Sequence, residues 1–98
     1  MDVNCESLAE VRAQIDRLDR QIVALLAERG RYVSQAARFK ASSTEVPAPD
    51  RVAQVLAKVG ALAEQEGANP QVVAQVYLAM IGAFIEAELA EHARLERG

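Results

Sequence analysis

Three charged side chains occupy positions in this sequence where the apolar pattern calls for aliphatic residues. Arg29 falls within an apolar series of 3–4 spacing, and Lys40 lies eleven residues later, about 20° away around the same predicted helix. Glu88 follows Phe84 and Ile85 on the inward face of another helix. Because a buried charge is costly unless an opposite charge meets it, this set favours a site that binds an anion. Arginine suits a carboxylate, which it holds through two parallel N–H bonds.

Each of these residues also has a structural explanation. Arg29 could extend its head group to solvent, and Lys40 could complement the dipole at the end of a helix. Glu88 could neutralise Arg29 in a buried ion pair. Arg31 and Arg38 point about 180° away from Arg29, so we expect both to be solvated.

The remaining composition narrows the classes of function. Hydrophobic residues make up 51% of the 98 residues and charged residues 26%, which predicts a folded soluble domain. The net charge of −3 gives no attraction to nucleic acid or an anionic membrane, so we expect neither partner. The sequence has no Gly-rich phosphate loop, Cys-x-x-Cys pair or His-Glu motif, and we expect no metal and no cofactor. His92 is expected at the surface, near a polar helix end, and Tyr32 is expected to pack against other residues.

The location indicated by the sequence is the cytoplasm. Its N-terminus carries acids and no apolar run, which predicts no signal peptide. We see no uninterrupted apolar stretch near the roughly 18 residues that a membrane span needs. Cys5 is the single cysteine and cannot form an internal disulfide, as suits a reducing compartment.

Apolar spacing predicts an all-α chain with one domain over residues 1–98. A capping box at Ser7 and Glu10 opens helix 1, which we place at about 8–40. Pro49 stands in the first turn of helix 2, and Asn69 caps helix 3. The other predicted bounds are a loop at 41–48, helix 2 at about 49–66 and helix 3 at about 70–95.

The length of helix 1 implies a second copy of the chain. At about 1.5 Å per residue the helix extends roughly 50 Å, whereas a domain of this size has a radius of gyration near 13 Å. The rest of the chain cannot cover such a helix. We therefore expect a homodimer with two-fold symmetry.

Three stretches carry a resemblance to a known family. They are VRAQIDRLDRQIVALLAERGRYV at 11–33, RFKAS at 38–42 and VPAPDRV at 46–52. Together they make the chain similar to the all-helical chorismate mutase family, whose members are intertwined, helix-swapped homodimers of three-helix chains. Within that family, RFKAS followed by VPAPDRV resembles most closely the isochorismate-pyruvate lyases, which make salicylate for siderophores.

The resemblance implies a role for five residues. Arg12 matches the arginine that enters the partner subunit's active site, and Arg29 the arginine that clamps a substrate carboxylate. Lys40 matches the lysine that contacts the substrate's ether oxygen and a carboxylate. Arg51 matches the arginine that opens helix 2, and Glu88 a helix 3 position that is often glutamine. We expect the loop between Lys40 and Arg51 to cover a dicarboxylate substrate.

The geometry of helix 1 also predicts a homodimer. Arg12 and Arg29 are seventeen residues apart, or about 25 Å along one helix, so they cannot grip one small molecule within one chain. An antiparallel second copy would bring them together.

The reactions that the resemblance implies are pericyclic and need no nucleophile, metal or cofactor.

The sequence leaves several alternatives open. Typical mutases hold the C4 hydroxyl of chorismate with acids at the start of helix 2, where this chain has Ala48 and Val52. Their absence favours the lyase over a chorismate mutase that makes prephenate. An amino-substituted chorismate and a non-catalytic dimer that binds anions or partner helices remain possible. The protonation state of Glu88 is also open, since burial favours the neutral acid and nearby cations the carboxylate.

Overall fold

The protein consists of three α-helices. A computed structural model describes residues 4–40 and 48–97, with side chains to residue 94. The helices are α1 (Leu8–Ala37), α2 (Pro49–Gln65) and α3 (Pro70–Arg97). For the described residues, the prediction of three helices and no strand is confirmed. The predicted loop 41–48 lies outside them except for Ala48.

The chain divides into two compact units, the first ending at Tyr32 and the second beginning at Val33. The first unit is helical, and its helix opens at the predicted cap. The Oγ of Ser7 accepts a hydrogen bond from the backbone N–H of Glu10 at 3.1 Å. The carboxylate of Glu10 reaches one residue further back than a capping box requires and accepts from the N–H of Glu6 at 2.7 Å.

A stripe of large apolar side chains is exposed along the first unit. Side chains of this size are normally removed from water, and a continuous exposed series marks an interaction surface. Tyr32 is exposed as well, so its expected packing is wrong for the single chain. We call the following residues the α1 stripe: Leu8, Val11, Ile15, Leu18, Ile22 and Leu25.

The helix α1 ends three residues before the predicted position. After Ala37 the chain tightens, because successive N–H groups bond to the carbonyl three residues earlier instead of four. These bonds run from Arg38 to Gln35 at 3.1 Å, from Phe39 to Ala36 at 3.0 Å and from Lys40 to Ala37 at 3.4 Å. Phe39 is left 87% exposed, whereas the Lys40 side chain is only 22% exposed.

The second unit contains a hairpin of α2 and α3, which pack against each other. Gly67 terminates α2 with φ +70°, a conformation that glycine adopts without a Cβ penalty. Next to it the N–H of Ala68 bonds the carbonyl of Ala63 at 2.8 Å. Asn69 then caps α3 as predicted, since its Oδ1 accepts from the N–H of Gln71 at 2.9 Å. In the described part of this unit the buried apolar residues are Ala37, Val59, Ala63 and Ile81.

The composition of α3 would also suit a membrane span. By length and composition Pro70–Arg94 could cross a membrane, with a mean hydropathy of 1.6. Core helices of soluble proteins pass the same test, so a single helix of this kind is weak grounds for a span. The expectation of no membrane partner therefore stays a prediction.

Candidate active site

The second unit brings together two of the predicted site residues, Lys40 and Glu88. The Lys40 ammonium forms an ion pair and hydrogen bond with the Glu88 carboxylate. The Glu88 side chain is 7% exposed and sits on α3, whereas Lys40 sits just past the end of α1. Because water screens this pair poorly, each charge stabilises the other more strongly than at an open surface. The result is a half-buried ammonium group in a fixed position.

His92 is part of the same cluster, which corrects the expectation that it lies at the surface. It is 4% exposed, and its Nε2 lies 3.0 Å from the backbone carbonyl oxygen of Lys40. A carbonyl oxygen can only accept, so Nε2 carries the hydrogen and donates it. The imidazole thus binds the backbone of the residue whose side chain Glu88 holds.

The signal that could have located His92 is the 3–4 spacing of the inward-facing residues of α3. Ile81, Ile85, Glu88 and His92 follow one another at steps of four, three and four residues, which keeps them on one face of a helix. The polar neighbours of His92 concealed this pattern. Continuing this spacing past the polar neighbours of His92 would have placed it on the same face as Glu88.

A second group of polar side chains, Glu91 and Arg94 of α3 and Ser34 of α1, lies where α3 meets the end of α1. Arg94 donates to both carboxylate oxygens of Glu91, at 2.7 and 2.8 Å from Nη2 and at 3.1 Å from Nε. Ser34 donates to the same carboxylate at 3.4 Å. The Arg94 hydrogen bonds hold the pKa of Glu91 below its ordinary value against an opposing effect of partial burial, and Ser34 and the charge of Arg38 add to the lowering. The same contact raises the pKa of Arg94.

The other predicted cations lie elsewhere in the chain. Arg12 is exposed and Arg29 half-buried, both on α1 in the first unit. Arg51 is exposed in the first turn of α2. Arg31 and Arg38 are exposed, as predicted.

No metal centre is evident in the part of the chain that the structure describes. Residues 4–40 and 48–97 contain no group of three or more His, Cys, Asp or Glu side chains that could hold a metal ion. The polar groups that come together around Lys40 are its own ammonium, the Glu88 carboxylate and the His92 imidazole. Such a set can bind and orient an anion, stabilise negative charge and donate hydrogen bonds.

Comparison with known proteins identifies the family. Residues 11–89 match the family described as chorismate mutase type II. The chain is also similar to a protein of Pseudomonas aeruginosa named isochorismate pyruvate lyase, with 40% identity over 95 residues, which cover 97% of this chain and 93% of that protein.

The chain belongs to the chorismate mutase type II family, and the resemblance seen in its sequence is confirmed. It is an enzyme of that family. The match extends over all three helices, from α1 through most of α3. It therefore includes Lys40 and Glu88 together with the three arginines.

Proposed function

We propose that this enzyme is an isochorismate-pyruvate lyase, which converts isochorismate to salicylate and pyruvate. The observation that carries the proposal is the half-buried Lys40 ammonium held by an interior carboxylate, in a chain similar over nearly its full length to a protein named for that reaction. Isochorismate has two carboxylates and an enolpyruvyl ether, so a site for it needs cations and a donor to the ether oxygen.

The chemistry balances within the substrate. When the ether C–O bond breaks, the ring must lose one hydrogen to become aromatic. The enolpyruvyl methylene gains one hydrogen to become the methyl group of pyruvate. A transfer of that hydrogen from ring to methylene satisfies both changes at once. The protein therefore needs to supply no base, oxidant or cofactor, only orientation and charge stabilisation.

Lys40 would stabilise the negative charge that grows on the ether oxygen as the C–O bond breaks. Glu88 supports this role in the free enzyme, because it fixes the ammonium group before substrate arrives. Preorganised donors are effective because they need no reorientation during the reaction. Glu88 itself can donate to the substrate only as the protonated acid, since a carboxylate accepts but does not donate.

The arginines would hold the carboxylates across a helix-swapped homodimer. In that arrangement Arg12 of one subunit enters the site of the other and joins Arg29, and Arg51 lies at its edge. Support comes from the α1 stripe, whose exposed apolar side chains a second copy would cover. It comes also from α3, where Val72, Val76 and Leu78 are more than half exposed. A dimer that buries these surfaces would be soluble in the cytoplasm despite the hydropathy of α3.

Chorismate mutase activity is the second candidate function, because the matching family carries that description. The start of α2 favours the lyase. Ala48 and Val52 have apolar side chains that cannot accept a hydrogen bond from the C4 hydroxyl of chorismate. An unpaired buried hydroxyl costs about 1–3 kcal/mol, which corresponds to about 5- to 150-fold in rate or affinity. Isochorismate carries its hydroxyl at C2 and does not need these acceptors.

The test is to incubate the purified enzyme separately with isochorismate and with chorismate, both with and without a metal chelator. We expect salicylate fluorescence and pyruvate from isochorismate, with no effect of the chelator. Prephenate from chorismate as the dominant product would support the mutase instead. Formation of neither product, or loss of activity with the chelator, would contradict the proposed function.

A further inference from the structure

We propose that His92 is a positioning residue for Lys40: its Nε2–H holds the Lys40 backbone so that the ammonium group meets the substrate. This inference rests on the proposed function, because it gives the position of Lys40 a role in turnover. His92 acts through Lys40 and has no assigned contact with substrate.

Two side chains of α3 contact Lys40, one at its ammonium group and one at its backbone carbonyl. Glu88 holds the ammonium group, and one turn later His92 binds the main-chain carbonyl at 3.0 Å. Glu88 and His92 are four residues apart, so their side chains leave the same face of the helix. Both are buried, with exposed fractions of 6% and 4%. A single rigid element thus fixes the backbone and the head group of one residue.

Lys40 needs such support because it lies beyond the end of α1. The regular helix stops at Ala37, and the N–H of Lys40 bonds the Ala37 carbonyl at a long 3.4 Å. A lysine side chain has four flexible carbons, so an ion pair at its ammonium group still allows many conformations of the side chain and of the backbone. Fixing the carbonyl removes the freedom of the backbone from which this side chain starts. A displacement of about 1 Å at a catalytic group can lower a rate by about 100-fold.

The competing explanation is that His92 only fills space in the core. Two substitutions separate these explanations. His92→Phe keeps an aromatic ring of similar size and removes the ring N–H. His92→Gln places an amide N–H near the position of Nε2 and removes the ring. A space-filling role predicts that Phe is the better replacement, whereas a positioning role predicts that Gln is.

The kinetic experiment measures kcat and KM for salicylate formation in wild type, His92→Phe and His92→Gln, with thermal unfolding of each variant. We expect His92→Phe to lower kcat by about 10- to 100-fold with a smaller change in KM, and His92→Gln to restore most of the kcat. Equal kcat values for wild type and His92→Phe would overturn the inference. So would a kcat in His92→Gln no higher than that of His92→Phe.

A spectroscopic experiment tests the contact without turnover. His92 is the single histidine of the chain, so its ring nitrogens can be assigned without ambiguity after ¹⁵N-histidine labelling. We expect a protonated Nε2 whose hydrogen exchanges slowly with solvent, and a Lys40 ammonium environment that changes in His92→Phe but much less in His92→Gln. A ring protonated at Nδ1 alone, or an unchanged Lys40 signal in His92→Phe, would overturn the inference. If wild type forms no salicylate, the proposed function fails while this readout still decides whether His92 fixes Lys40.

Discussion

Lys40 and Glu88, 48 residues apart in the chain, form a part-buried ion pair between the end of α1 and the inner face of α3. The sequence had offered Arg29 as an ion-pair partner for Glu88, and the structure shows Lys40 in contact with it. Each member of the pair has an assigned part in the proposed chemistry. Substitutions that change one charge at a time therefore separate the two roles.

Replacement of Lys40 by methionine should lower kcat for salicylate formation by about 100- to 1,000-fold, the usual effect of removing one preorganised donor to a developing oxyanion. Methionine keeps an unbranched side chain and removes the charge. Lys58→Met is the matched control, because Lys58 is exposed on α2. We expect the control to keep wild-type kcat. A kcat for Lys40→Met within a few-fold of the control would show that Lys40 does not stabilise the transition state.

Replacement of Glu88 by glutamine should flatten the pH–rate profile. The Glu88 carboxylate fixes Lys40 in the free enzyme, whereas only protonated Glu88 can donate to the ether oxygen. A donor role for Glu88 therefore makes the wild type more active at acidic pH. Glutamine offers an amide N–H at every pH, so kcat/KM of Glu88→Gln should vary less over the same range. Profiles of the same shape in wild type and variant would remove Glu88 from the chemistry.

The pKa of Glu91 should depend on Arg94. Because the folded-state pKa is lowered, the contact stabilises the fold above the unfolded-state pKa of about 4.3, and this contribution is lost as pH falls through the folded value. In Arg94→Gln we expect the Glu91 carboxyl group, followed by ¹³C NMR, to titrate at higher pH than in wild type. Arg20→Gln, on the exposed surface of α1, is the control and should leave this pKa unchanged. A pKa equal in Arg94→Gln and wild type would contradict the assigned cause.

Charges placed on the α1 stripe should prevent dimer formation. We expect the double variant Ile15→Glu and Ile22→Glu to sediment as a monomer and to lose activity, because four buried carboxylates per dimer would lack partners. Ala13→Glu with Ala24→Glu is the matched control. These residues are exposed on the same helix, about 160° around it from the first pair. A dimeric, active stripe variant in analytical ultracentrifugation would place the subunit contact elsewhere.

The starts of the helices could be read from the sequence, but the end of α1 could not. Ser7, Pro49 and Asn69 mark their helix starts through local hydrogen bonds or backbone preference, which act within a few residues. Between Ala37 and Lys40 the sequence has no glycine or proline to stop the helix. There the end coincides with contacts from Glu88 and His92, which are distant in the chain.

In the candidate site, too, features set by local sequence could be predicted, and contacts between distant residues could not. The inward position of Glu88 followed from helix spacing, because a periodic stripe fixes which face is buried. The pairing of Glu88 with Lys40 did not follow, since spacing within one helix carries no information about its partner. The prediction that His92 lies at the surface is wrong because its polar neighbours, including Glu91 and Arg94, are typical of a solvated helix end although His92 itself is buried. In fact those two residues satisfy each other and leave His92 on the buried face.

Mixing two inactive variants tests whether each site is built from two subunits. Arg12→Ala and Arg29→Ala are unfolded together in equal amounts and refolded, so that subunits exchange. Random pairing makes about half of the dimers mixed, and in each of these one of the two sites regains both arginines. We predict recovery to about a quarter of wild-type salicylate formation. A mixture no more active than the two variants measured separately would show that Arg12 and Arg29 do not act across the dimer.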